Sequence, residues 1–152
     1  MRDTIEISIP TDQDGFVLLQ CSLCGELFKL IPGELQSDDV IHIWCPFCGL
    51  VIKNGLTNDV IDLALKMGKN ELMDKVFDEF KKMEKMFRSS DGISLKAGKK
   101  PSREVEYPIK TSIDALEIEH YNCCKRKAKI NSLVKMFGSY CPYCGGIYDG
   151  IK

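Results

Sequence analysis

The chain has 152 residues, of which 44% are hydrophobic and 28% are charged, and its formal net charge is −1 at pH 7. That length suits one ordinary domain or two small ones and permits a substantial buried core. No apolar run approaches the roughly 18–20 residues that cross a bilayer, and residues 1–10 lack the pattern of a signal peptide. We therefore expect an intracellular, cytoplasmic protein with no membrane partner.

The first 56 residues are typical of short β-strands separated by turns. Apolar and polar residues alternate over residues 4–9, which is the pattern of a half-buried strand. Four further short apolar runs, bounded by turn residues or cysteines, lie at residues 16–20, 27–31, 40–44 and 50–52. We expect all five runs to be strands.

A helical pattern replaces the strand pattern at Thr57. Apolar residues recur at intervals of three and four up to residue 88, which predicts an amphipathic helix. Gly68 favours a break, with Asn70 capping a second helix. The apolar face either packs against the protein's own sheets or binds a partner helix, and its candidate residues are Leu72, Met73, Val76, Phe77, Phe80, Met83 and Phe87. Residues 89–108, interrupted by Gly and Pro, predict a loop or linker.

An internal repeat places similar sequences at the two ends of the chain. Cys-Pro-Phe-Cys-Gly at residues 45–49 is matched by Cys-Pro-Tyr-Cys-Gly at residues 141–145. The upstream matches are residues 19–21 with 121–123 and residues 28–30 with 128–130. Residues 116–121 alternate and lead into the second group of cysteines, so we expect another strand there.

Eight cysteines are an unusual number for a chain without a signal-peptide pattern, and they favour metal binding over disulfides. Cys21-x-x-Cys24 precedes Cys45-x-x-Cys48 by 20 residues. Each short spacer lets the chain turn tightly and direct two sulfurs at one ion, and four thiolates suit tetrahedral zinc. The glycine after each pair permits the positive φ that such a turn needs. These four cysteines are therefore predicted to hold one zinc ion.

The second copy is irregular, because Cys123 and Cys124 are adjacent where a Cys-x-x-Cys pair is expected. Loss of two residues from this turn would make both cysteines ligands, together with Cys141 and Cys144. Alternatively, His120-x-x-Cys123 restores the usual spacing and leaves Cys124 free, since imidazole also binds zinc. The four-cysteine set is preferred, and His120 remains the alternative to Cys124.

Both cysteine copies resemble zinc ribbons. The first is similar to the ribbon of transcription-factor-IIB type, with Cys-x-x-Cys and Cys-Pro-x-Cys-Gly motifs between short strands. We expect an α+β fold with two zinc ions per chain. Its four segments would be an N-terminal ribbon with extra strands at 1–56, a helical segment at 57–88, a loop at 89–108 and a C-terminal ribbon at 109–152.

Two other chemistries use the same residue types. A thioredoxin-like dithiol needs a helix that begins at the motif and lowers the thiol pKa. Only eight residues follow Cys144, and the residues after Cys48 are strand-like, so neither motif meets that need. A rubredoxin-like iron site with four thiolates fits the same spacings and stays an alternative, although zinc is the commoner occupant.

Charge is distributed unevenly along the chain. Residues 1–56 contain three basic and eight acidic residues, residues 57–119 contain twelve and thirteen, and residues 120–152 contain six and one. Either the basic end faces an acidic partner or nucleic acid, or the two ends attract each other within or between chains. The candidate contact residues are Lys125, Arg126, Lys127, Lys129 and Lys135.

The sequence favours a protein that is not an enzyme. It shows no Ser/His/Asp set, phosphate-binding glycine loop or His-Glu-x-x-His motif, and zinc held by four protein ligands has no open position for catalysis. We expect a zinc-binding adaptor that contacts a protein or a nucleic acid, with no small-molecule substrate. The alternatives are a nucleic-acid-binding regulator that uses the basic C-terminal ribbon, and an iron-containing electron carrier.

Overall fold

The computed structural model describes residues 4–88, 92–109 and 115–149. It has a mixed α+β fold, with small antiparallel sheets and one long helix between the two cysteine-rich regions, which confirms the predicted fold class. The strands are β1 Val17–Gln20, β2 Leu27–Leu30, β3 Ile43–Trp44, β4 Val51–Ile52, β5 Leu116–Tyr121, β6 Arg126–Asn131, β7 Ser139–Tyr140 and β8 Ile147–Tyr148. The helices are α1 Pro32–Leu35, α2 Asn58–Phe87 and α3 Ser132–Phe137.

The chain separates into two compact units. The sheet unit contains residues 8–60 and 109–152, so it includes both cysteine-rich regions. The helical unit contains residues 1–7 and 61–108, and the second range includes most of α2 and the segment that follows it. No helix in the described ranges is both long enough and apolar enough to cross a membrane.

The sheet unit is built on one four-stranded antiparallel sheet in the order β1-β2-β6-β5. Its central pair joins the two copies of the repeat, because Lys29 of β2 lies opposite Lys129 of β6, and Leu30 lies opposite Ala128. Each residue of the first hairpin therefore corresponds to the residue 100 positions later, through a local two-fold axis. One face of the sheet forms the core, and its most buried side chains are Phe28, Leu30, Tyr121, Ala128 and Ile130.

The correspondence extends to two short helices that hydrophobic spacing did not predict. α1 follows β2 and α3 follows β6 at the same offset. Pro32 opens α1, where its fixed φ suits the first turn. α3 begins after Asn131, whose side-chain oxygen accepts a hydrogen bond from the Leu133 N–H at 3.0 Å. Helices of four and six residues span too few turns to show a 3.6-residue period.

Of the five strands predicted in the first 56 residues, four are present and the first is wrong. Residues 4–9 form no strand and are mostly exposed. Their alternation matches a half-buried strand, but no described strand pairs with them, and a strand needs partners to be stable. β3 is shorter than predicted, because the Val40 N–H closes a turn on the Ser37 carbonyl before the strand begins.

Two lysines meet at the centre of the sheet, on the face opposite the core. The ammonium groups of Lys29 and Lys129 contact the same carboxylate oxygen of Asp12, at 3.0 and 2.8 Å. Lys129 also contacts Asp14 at 2.6 Å. Like charges on opposing strands repel, so Asp12 supplies the compensating charge. Burial raises the pKa of Asp12, but both lysines and the Phe16 N–H outweigh burial and hold that pKa well below 3.8.

Ion pairs join the acidic and the basic end of the sequence. Asp12, Asp14 and Asp39 belong to the acidic N-terminal region, whereas Lys129 and Arg126 belong to the basic C-terminal region. The Arg126 guanidinium contacts both carboxylate oxygens of Asp39, at 2.8 and 2.9 Å. The two oppositely charged ends therefore attract each other within the sheet unit of a single chain.

Asp12→Asn is expected to lower the free energy of unfolding by about 3–5 kcal/mol at pH 7, because two lysines lose their shared counter-charge. The stabilisation by Asp12 is complete above the ordinary carboxyl pKa and is lost as the pH falls through the lowered pKa of the folded state. Urea unfolding of the two proteins measures the difference. Asp14→Asn, at an exposed carboxylate, is the control and is expected to cost about 1 kcal/mol or less. Equal losses would contradict the central role of Asp12.

α2 runs through Gly68 without interruption, so the predicted break is wrong. A single glycine costs a helix about 1 kcal/mol relative to alanine, which a helix of 30 residues tolerates. Asn70 does not cap a second helix, because it lies buried inside α2. Its Oδ1 accepts a hydrogen bond from the Glu104 N–H at 2.8 Å, and its Nδ2 donates to the Glu104 carbonyl at 3.0 Å. Asn70 therefore fixes the later segment to the helix.

The segment at residues 92–108 has neither helix nor strand and lies against α2 within the helical unit. The carboxylate of Asp74 holds it through Lys100 at 3.0 Å and Arg103 at 2.6 Å. A groove of about 290 Å³ lies between the segment and the apolar side of α2, and its lining includes Met73, Val76, Phe77, Phe80, Leu95 and Pro101. The segment therefore covers the predicted apolar face only in part.

Asn70→Ala is expected to accelerate hydrogen exchange at the Glu104 amide by roughly tenfold or more, because the amide loses a buried acceptor. Exchange measured by NMR or mass spectrometry at single-residue resolution checks this. Lys69→Ala is the matched control, since Lys69 forms only an exposed ion pair with Glu104 and is expected to change exchange little. Similar exchange rates in the two variants would show that Asn70 does not anchor the segment.

Candidate metal centres

The four cysteines of the first copy form a compact cluster of sulfur atoms. All four Sγ atoms lie within 4.8 Å of one another. Cys21 Sγ is 3.8 Å from Cys48 Sγ, and Cys24 Sγ is 3.6 Å from Cys45 Sγ. Four sulfurs placed about 2.3 Å from a central zinc, at the corners of a tetrahedron, are about 3.8 Å apart. The cluster therefore fits a tetrahedral metal site with four thiolate ligands.

The turns that carry these sulfurs share one backbone pattern. The Gly49 N–H donates to the Cys45 carbonyl at 3.0 Å, and the Cys45 N–H donates to the Leu50 carbonyl at 2.9 Å. Gly49 has a φ of 70°, which glycine adopts without strain. The same two hydrogen bonds and the same positive φ occur in the turns that begin at Cys21 and Cys141. The glycine after each Cys-x-x-Cys pair thus closes the turn.

Backbone N–H groups also point at the sulfurs. Those of Leu23 and Cys24 lie 3.4 and 3.5 Å from Cys21 Sγ. Burial raises the pKa of the Cys21 thiol, but these donors outweigh burial and lower the pKa to about 7. Burial keeps the pKa of the Cys45 thiol above its ordinary value. Metal binding must therefore displace a proton from Cys45, and the affinity of the site falls as the pH falls.

The second cluster contains the four cysteines of the preferred ligand set. The sulfurs that lie within 4.8 Å of one another are those of Cys123, Cys124, Cys141 and Cys144. Cys123 Sγ is 3.6 Å from Cys144 Sγ. His120 belongs to neither cluster in the described chain, and it lies exposed on β5 opposite Lys127. The structure thus brings the four thiols together and leaves the imidazole outside.

The offset of 100 residues between the hairpins corrects the predicted alignment. Cys24 corresponds to Cys124, and Cys21 corresponds to Tyr121 rather than to Cys123. The second hairpin has therefore lost no residues, and the predicted two-residue deletion is wrong. The thiol missing at position 121 is replaced by Cys123, two residues farther along the turn.

Two substitutions accompany this change in the second turn. Tyr121 fills the buried place of Cys21, and its hydroxyl lies 2.9 Å from that of Ser139. Lys125 stands where the first turn has Gly25, and it keeps the positive φ, at 53° against 80°. A residue with a side chain adopts this conformation at a cost of about 1–2 kcal/mol. The second turn therefore carries backbone strain that the first turn avoids.

The two Cys-Pro-x-Cys-Gly turns contact each other reciprocally. The Trp44 N–H donates to the Pro142 carbonyl at 2.8 Å, and the Tyr140 N–H donates to the Pro46 carbonyl at 2.9 Å. The Trp44 ring covers Gly145, where an added Cβ would lie 2.7 Å from a ring atom. The Tyr140 ring covers the equivalent glycine of the first turn in the same way, at 2.8 Å. Both glycines are therefore needed for this close approach.

Sequence reasoning missed a tyrosine that supports the second site. The Tyr143 hydroxyl lies 2.8 Å from Glu34 Oε2 and 2.8 Å from the Lys127 carbonyl oxygen, and both oxygens are acceptors. Burial raises the pKa of Tyr143, so its hydroxyl keeps the proton it donates. The Cys-Pro-Phe-Cys-Gly turn of the first copy has Phe47 at the equivalent position, and the ring of Phe47 is exposed. The change from phenylalanine to tyrosine was the available signal.

Most of the predicted basic patch is paired with acids. Arg126 and Lys129 bind aspartates of the N-terminal region, and Lys135 contacts a glutamate of β5 at 3.6 Å. Lys125 and Lys127 are exposed and form no ion pair within the described part of the chain. Because affinity for phosphates grows with the number of unpaired cations, two lysines make a weak nucleic-acid surface.

Comparison with protein families, curated proteins and solved structures finds no match to this chain. Four thiolates in a tetrahedron suit zinc, and iron sites use the same four ligands. The chain contains two zinc-ribbon-like sites, each made of two turns and four cysteines.

Lys125→Gly is expected to raise the free energy of unfolding by about 1 kcal/mol, because glycine relieves the strain at positive φ. Gly25→Ala is expected to lower it by a similar amount, and nothing lies within 4 Å of the added Cβ to complicate the comparison. Chemical unfolding of the metal-loaded proteins measures both changes. Shifts of the same sign would mean that the two positions do not share one conformational constraint.

Proposed function

We propose that the protein is a non-catalytic adaptor whose sheet unit is held together by two zinc ions. The observation that carries the proposal is that each site offers four thiol ligands. Zinc with four protein ligands has no position for water or substrate, as in structural zinc sites. Such sites contribute their binding free energy to folding. The proposed activity therefore lies in the surfaces that the fold presents.

The exposed apolar side of α2 supports a protein partner. Residues at alternating intervals of three and four form a stripe, and each is between 36% and 47% exposed: Met73, Val76, Phe80, Met83 and Phe87. An apolar stripe that a protein leaves open is typical of an interaction surface for another helix. Methionine side chains adapt readily to a partner's shape. Leu72 extends the stripe, because it lies four residues before Val76 on the same side of α2, and it is 60% exposed.

A nucleic-acid-binding regulator is the second candidate. It is favoured by the two unpaired lysines, Lys125 and Lys127, and by Phe137, whose exposed ring could stack on a base. It ranks below the adaptor because the other basic residues of the predicted patch are paired with acids. A rubredoxin-like electron carrier is the third candidate, favoured by the four-thiolate ligand sets alone.

The metal content of the purified protein tests the zinc assignment. Native mass spectrometry is expected to show two zinc ions per chain, one for each cluster, and the solution is expected to be colourless. A red protein that contains iron would contradict the adaptor and support the electron carrier. A chain with disulfides in place of metal would overturn the proposal.

Site-specific photo-crosslinking in the native host tests the class of partner. A photoreactive amino acid at position 80 is expected to give adducts with protein, because Phe80 lies in the exposed stripe. The matched control is position 78, since Asp78 lies on the other side of α2 and is expected to give few adducts. Adducts with nucleic acid at position 127 would support the regulator and contradict the adaptor.

A further inference from the structure

The two metal centres differ in how solvent reaches their closest sulfur pairs. In the first centre, each of the two close pairs includes one buried thiol, Cys21 or Cys45. In the second centre, the close pair is Cys123 and Cys144, at 3.6 Å, and both thiols are exposed. Among these three close pairs, only the one in the second centre exposes both thiols to a reagent in solution.

The backbone also supports the two centres unequally. Cys21 Sγ accepts N–H groups from Leu23 and Cys24. In the second centre, the Gly146 N–H lies 3.4 Å from Cys144 Sγ, and no described backbone N–H donates to the sulfur of Cys123 or Cys124. The reason lies in the alignment, because Tyr121 occupies the position of Cys21 and offers no sulfur to the N–H groups of the residues that follow it. Partners of this kind typically change metal affinity by about 10–100-fold.

We propose that the second centre is a peroxide-responsive thiol pair, in which Cys123 and Cys144 form a disulfide while the first centre stays intact. The inference rests on the proposed function, since it takes both centres to be zinc sites. The disulfide removes two of the four ligands of the second centre. The S–S bond also keeps the two turns of the second centre joined, so that reduction by a thiol restores all four ligands.

The oxidation is balanced by hydrogen peroxide as the two-electron acceptor. One thiolate attacks the peroxide, the O–O bond breaks, and a sulfenic acid forms while the leaving hydroxide takes a proton from solvent. The second thiolate then displaces hydroxide from that sulfur, and an S–S bond forms. A further proton from solvent completes the second water. Two electrons pass from the two sulfurs to the two oxygens.

Peroxide treatment of the metal-loaded full chain tests the proposal. A chromogenic chelator follows released zinc, and mass spectrometry after thiol blocking locates the disulfide. We expect one zinc ion to leave about 10–100-fold faster than the other, together with a disulfide between Cys123 and Cys144. Release of both ions at one rate, or a first disulfide between Cys24 and Cys45, would overturn the proposal.

Leu23→Cys supplies the matched variant. Leu23 is 62% exposed, so its replacement keeps the core and all four ligands of the first centre while placing adjacent cysteines there. The new thiol takes the exposed position that Cys123 has in the second centre, while the N–H groups that reach Cys21 Sγ are kept. We expect the first zinc ion to leave faster than it does from the unchanged protein. An unchanged rate at the first centre would contradict exposure of the thiols as the cause of the difference. A protein purified without zinc would contradict the proposed function before peroxide is added. Loss of both zinc ions at the same rate would contradict this inference alone.

Discussion

The strand pairing of the sheet unit depends on one carboxylate placed between two lysines. Asp12 lets Lys29 and Lys129 lie opposite each other in the central strands, where two unneutralised ammonium groups would repel. That central pairing joins the two copies of the repeat into one sheet. It also decides which face of each strand is buried, because a shift of one residue would turn every apolar side chain outwards. The core and both cysteine hairpins therefore depend on it.

The two copies of the repeat share their arrangement of strands, helices and turns, but their ligand sets differ. Strands, short helices and Cys-Pro-x-Cys-Gly turns recur under the same local symmetry, and these turns even bond to each other reciprocally. The ligand sets diverge at the hairpin, where Tyr121 has taken the place of a cysteine and Cys123 supplies the thiol from a new position. The two copies therefore contain centres of equal composition and unequal exposure.

The sequence predicted what depends on neighbouring residues. The spacing of the cysteines and the apolar period of α2 are local signals, and both anticipated the structure. Gly68 and Asn70 together suggested a helix break. Asn70 instead bonds to Glu104, which is 34 residues away, and no local pattern shows that contact. Asp12 contacts Lys129, which is 117 residues distant, and no local pattern shows that pair. The hairpin alignment failed likewise, because pairing between distant strands, and not similarity of cysteines, determines which positions correspond.

The pairing of residues 29 and 129 has a consequence for synthesis of the chain. All ligands of the first centre lie within the first 48 residues, so that centre can close early. β2 then waits as an edge strand until β6 has been made, about 5–20 s later at ordinary rates of translation. Exposed edges invite pairing with other chains, and a charged side chain on the edge hinders it. The lysine that the completed sheet must neutralise thus hinders aggregation of the incomplete one.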